Sequence, residues 1–139
     1  MFLNENRDVD GSACLLELDE TNGWLRATWT GYINHEEAVN GAESYLHAAS
    51  AHPCAYLLND NTSMRGPWFD SIDWLERVWV PQALRLGLRY VAHVPQQGDP
   101  MGYGTTHLRN PSGGQFELQI FERVADAEQW LRSCQQSAL

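Results

Sequence analysis

Two short apolar runs, CAYLLND (54–60) and LRYVAHV (88–94), each come after a segment whose apolar residues recur at helical spacing. Runs this short and this apolar suit strands buried on both faces, as in a parallel sheet with helices packed against it. The first helical segment is NHEEAVNGAESYLHAASAH (34–52), with Ala38, Ala42, Tyr45, Leu46 and Ala49 on one side. Asn34 and Glu37 have capping-box spacing at its start, and Gly41 weakens its middle. The second sets Trp68, Ile72, Leu75 and Trp79 on one stripe and leaves Trp74 off it. Pro81 predicts a kink or restart in this helix, and Gly87 its end.

Ahead of this alternation, ACLLELDE (13–20) and WLRATWTG (24–31) flank Thr21, Asn22 and Gly23, a strong hairpin signal. After it, QFELQIFE (115–122) forms a further strand, and VADAEQWLRSC closes the fold as a helix with Val124, Ala127, Trp130, Leu131 and Cys134 inward. The expected order is β-β-α-β-α-β-β-α: an α/β sandwich on a mixed five-stranded sheet whose first strand is antiparallel to its neighbour. Residues 1–12 are expected as a flexible polar lead-in, with neither the basic start nor the apolar run of a secretory signal, and residues 13–139 as one domain. The Pro- and Gly-rich stretch 95–114 is long for a loop in a compact domain.

Charge and composition close off several functions. The 139 residues carry 18 acidic and 9 basic groups, a formal charge of -9, which repels nucleic-acid phosphates and anionic lipid surfaces. Every basic residue is an arginine, so Schiff-base chemistry, a phosphate-loop lysine and an amine nucleophile are excluded. Cys14, Cys54 and Cys134 lie far apart and are expected as free thiols in a reducing cytoplasm. No stretch has the roughly 18 apolar residues of a membrane span.

Gly31, Asp60, the block WLERVWVPQALRLGLRYVAHV and the closing pattern of Phe121, Asp126, Ala127, Trp130 and Leu131 together resemble the bacterial STAS-like, or SpoIIAA-like, domains. These are small stand-alone relatives of the sulfate transporter and anti-sigma factor antagonist domain, grouped with SEC14-type folds. The resemblance spans roughly residues 13–133 and implies an α/β fold, a regulatory or binding role without catalysis, and a homodimer. In regulatory members a hydroxyl at the start of a helix is phosphorylated, which makes Ser63 the candidate here. The segment reads Asp60-Asn61-Thr62-Ser63-Met64-Arg65-Gly66, which keeps hydroxyls and a glycine but departs from the family's Asp-Ser-Ser-Gly pattern.

Other chemistry is weakly encoded. His35-Glu36-Glu37 has no second histidine at helical i+4 spacing, so no metal site is expected. Gly102-Tyr103-Gly104 lacks the third glycine of a dinucleotide fingerprint, and no cofactor is expected. The strands ending near Gly31, Asp60 and Val94 should be parallel, which brings the loops after them to one sheet edge, where open α/β folds place ligands. The expected ligand-binding residues at that edge are Tyr32, Asp60, Ser63, Arg65, Trp68, Tyr103 and His107. The expected function is non-enzymatic binding of a protein partner or a small apolar or anionic ligand. The alternative is a small hydrolase using Ser63, with His93 or His107 as base, or Asp60.

Overall fold

The computed structural model of the chain describes residues 1–66, 71–96 and 117–137. Its strands are β1 (Phe2–Arg7), β2 (Ala13–Asp19), β3 (Trp24–Tyr32), β4 (Tyr56–Arg65), β5 (Tyr90–Val94) and β6 (Glu117–Ile120). The helices are α1 (His35–Ala51), α2 (Ile72–Trp74), α3 (Val80–Arg85) and α4 (Val124–Ser137), with a π-helical turn (Leu75–Trp79) joining α2 to α3. The strands lie in chain order in one mixed sheet. β1, β2 and β3 are antiparallel neighbours, and β3 through β6 run parallel.

The sheet has six strands rather than the five expected, because residues 2–7 of the supposed lead-in pair along β2. The sequence FLNENR has no apolar alternation to announce a strand. It is held by backbone pairing and by polar contacts: Asn6 Nδ2 donates to Ser44 Oγ at 2.8 Å and to the Asn40 carbonyl, and the Met1 amino group donates to the Leu18 carbonyl at 2.7 Å.

Two apolar layers sandwich the sheet. Leu16, Leu25, Ala27, Leu57 and Val91 meet Tyr45 and Ala49 of α1 and Ala83 of α3 on one face. On the other, Trp24, Leu58, Ala92 and Val94 meet Ala127 and Leu131 of α4. The capping box forms as read: Asn34 Oδ1 accepts the Glu37 N–H at 2.9 Å, and Glu37 Oε1 accepts the Asn34 N–H. Pro81, which has no N–H to give, sits in the first turn of α3 just after the π-helical turn, so the restart falls where expected. Gly87 (φ 104°) ends α3 with Leu88 N bonded to Ala83 O and Gly87 N to Leu84 O, the Schellman pattern.

One correction bears on the site. In the sequence the apolar run that marks β4 ends at Asp60. In the fold β4 continues five residues further, to Arg65. Ile33 N donates to the Arg65 carbonyl at 2.8 Å, which ties the strand's last residue to the entry of α1.

Candidate functional site

β3 and β4 overshoot β5. Thr28, Asp60 and Val94 lie level across the three strands, while Thr30, Gly31 and Tyr32 of β3 pair onward with Ser63, Met64 and Arg65 of β4. Directly paired residues put their side chains on the same face, and alternate residues of one strand do the same. Arg26 pairs with Leu58, which lies under α4, so Arg26, Thr28, Thr30 and Tyr32 share that face with Asp60, Ser63 and Arg65.

Asp60 and Ser63 are an odd number of residues apart and would point to opposite faces of a regular strand. A bulge between the Thr28 and Thr30 pairings sets Asn61 and Thr62 against Trp29 alone and returns Ser63 to the face of Asp60. Asp60 stabilises this bulge. Its Oδ1 accepts the backbone N–H and the hydroxyl of Thr62 at 3.0 and 2.8 Å, and its Oδ2 takes Nη2 of Arg26 at 2.9 Å. Asp60 is therefore a buried, fully engaged carboxylate that caps its own strand.

Tyr32, Ser63 and Arg65 are all exposed. Tyr32 is 53% accessible, and its partner across the ladder is Arg65. Among the described residues none forms an ion pair with Arg65; Asp60, five residues before it, is taken by Arg26. Gly31 (φ 80°) fixes the geometry just before Tyr32, because a Cβ there would stand 2.9 Å from Cα of Ser12. Gly66 (φ 102°) does so just after Arg65, where a Cβ would stand 2.8 Å from the carbonyl oxygen of Ile33. The structure thus brings Tyr32, Ser63 and Arg65 together and sets Asp60 below them as support. Trp68, Tyr103 and His107 lie outside the described residues.

The Ser63 and His93 pair imagined for a hydrolase does not form. His93 pairs with Asn59, whose side chain faces the α1 layer, and it is buried there with Nδ1 2.9 Å from Asn59 Nδ2. Ser63 points to the opposite side of the sheet. Sequence reading missed Arg26 as the partner of Asp60, since the register that sets β3 beside β4 is not written in either strand. It also missed a polar chain inside the α1 layer, where Trp29 Nε1 donates to Asn59 Oδ1 at 2.9 Å and Asn59 leads on to His93.

Elsewhere, carboxylate oxygens of Asp8, Asp10 and Glu37 lie within 4.8 Å of one another. Ser12 Oγ contacts both Asp10 and Glu37, and its hydrogen bonds hold the Asp10 carboxyl below its usual range. These groups are tied to the β1–β2 turn and the start of α1 and add nothing to the β3–β4 edge.

The architecture has a solved counterpart. The crystal structure of an uncharacterized protein from the DUF3478 family with a SpoIIAA-like fold, from Shewanella loihica PV-4, matches 87% of this chain and 94% of its own at a TM-score of 0.54 and 22% identity. The fold is thus SpoIIAA-like. No protein-family model and no curated protein matches the chain. Among the described residues no helix is long and apolar enough to cross a membrane.

Proposed function

We propose that the chain is a non-enzymatic binding domain of regulatory type, which takes an acidic group of a protein partner or small ligand at the C-terminal edge of β3 and β4. The observation that carries this reading is the exposed Arg65 beside Tyr32 and Ser63, with no described residue paired to its guanidinium. A guanidinium is a planar donor fork matched to carboxylate and phosphate, and the Tyr32 ring offers apolar contact to the rest of a ligand. Against the hydrolase reading, Asp60 has both oxygens occupied, and the buried His93 stands across the sheet from Ser63. Ser63 remains the phosphorylation candidate: a phosphate there would add about -1.5 to -2 charge beside Arg65 and compete with an acidic ligand for it. The three cysteines are free thiols, which fits a cytoplasmic protein, and a homodimer is part of the same proposal.

The test uses 2-naphthoate, an aromatic carboxylate, as probe, alongside generic ester and phosphate substrates. The expected outcome is a rise in Tm with 2-naphthoate and no turnover of either substrate. Catalytic turnover that is lost in Ser63→Ala or Asp60→Asn would overturn the reading in favour of a hydrolase.

A further inference from the structure

We infer a second binding site, inside the molecule and on the opposite face of the sheet from Arg65, that takes a phenol-sized neutral molecule bearing one hydroxyl. A cavity of about 100 Å³ lies between the sheet and the α1 to α3 layer, walled by Trp29, Ala42, Met64, Leu75 and Trp79. Its lining is almost wholly apolar, with Asn61 contributed by the bulge of β4. Asn61 is 2% exposed, and among the described residues its Oδ1 has no hydrogen-bond partner.

That combination is unusual in a protein core. A buried amide oxygen with no donor costs free energy that folding normally avoids, and the nearby Asn59 shows the normal arrangement, with its oxygen satisfied by Trp29 and its nitrogen turned to His93. The bulge that returns Ser63 to the outer face is the same feature that delivers Asn61 to the cavity. An amide accepts through its oxygen and donates through its nitrogen, and a hydroxyl does both, so a hydroxyl is the complementary group. Asn59 and His93, bonded to each other, also border the space, and the rest of the described wall is apolar with no carboxylate or arginine, which selects a neutral, compact skeleton. A dry apolar cavity of about 150 Å³ admits benzene. The space here is smaller, but Met64 borders it, and an unbranched thioether side chain readily repacks around a single ring.

The experiment compares phenol with benzene on the intact chain, following the indole N–H signals of Trp29 and Trp79 by NMR titration. Phenol should shift both signals and bind about tenfold or more tightly than benzene, because benzene leaves the Asn61 amide unpaired. In Asn61→Leu, which keeps the branched outline at a larger volume and removes the amide, any remaining binding of the two probes should agree within about threefold. Ala42→Leu, which fills the cavity, should abolish both titrations. Equal affinity of phenol and benzene for the unmodified chain would overturn the proposal. So would an absence of indole shifts with either probe, or shifts that persist in Ala42→Leu.

Discussion

Asp60 shows how much depends on a single register. Its carboxylate is buried, and Arg26, about a third exposed, is its ionic partner. Removing the arginine leaves a buried charge with only Thr62 for support. Arg26→Ala should therefore cost about 1–3 kcal/mol in urea unfolding, less than for a fully buried pair because solvent screens the arginine side. A loss below about 0.5 kcal/mol would mean the bulge holds without the pair. Cys14 gives a second prediction at this scale. Burial pushes its thiol from 9.0 up to about 12. Between those values the unfolded chain has lost the proton and the folded chain has kept it, so the unfolded state binds fewer protons and stability falls as pH rises. The slope attributable to Cys14 approaches about 1.4 kcal/mol per pH unit, is absent below about pH 9, and should vanish in Cys14→Ala. Tyr45, also raised by burial, acts in the same direction at higher pH and keeps some slope in that variant.

Helix α1 is marked in the sequence by Asn34, Glu37 and its small-residue face, and it forms as read, yet the reason for Gly41 emerges only from packing. A Cβ at Gly41 would overlap the six-membered ring of Trp29, which Asn59 holds in place through the indole N–H. Gly41→Ala should accordingly destabilise by about 1–3 kcal/mol in thermal or urea unfolding, although alanine is the better helix former by about 1 kcal/mol. A gain in stability would show that Trp29 yields easily. Strand β4 illustrates the opposite limit. Its apolar first half was legible from CAYLLND, but its second half, Asn61 to Arg65, alternates too irregularly to read as a strand. Backbone pairing to β3 and the Asp60 contacts build it, and a bulge changes which face each side chain takes. Strand β1 was illegible for a related reason: an edge strand of polar residues is specified by its neighbour's free backbone groups and leaves no apolar pattern behind.

At the scale of the whole molecule, the alternation of apolar runs and helical periods was enough to set the α/β class, the hairpin and the parallel strands. The meeting of Tyr32 with Arg65 followed from that topology, since parallel strands end at a common edge. The pairing of Arg26 with Asp60 and the placement of Asn61 did not, because both depend on register and on one bulge. The proposed binding edge is a local cation in a chain of formal charge -9, so an acidic ligand must be held by short-range geometry against a repulsive background. The most direct measurement is calorimetric titration of 2-naphthoate into the unmodified chain and into Arg65→Ala, with Tm recorded for both. The account predicts that the variant loses about 1.5–3 kcal/mol of binding, the range for a charge-assisted hydrogen bond, while its Tm stays unchanged because Arg65 is exposed and has no described ion-pair partner. Equal affinity in the two proteins, or an Arg65→Ala chain that unfolds, would contradict it and make the β3–β4 edge a structural element alone.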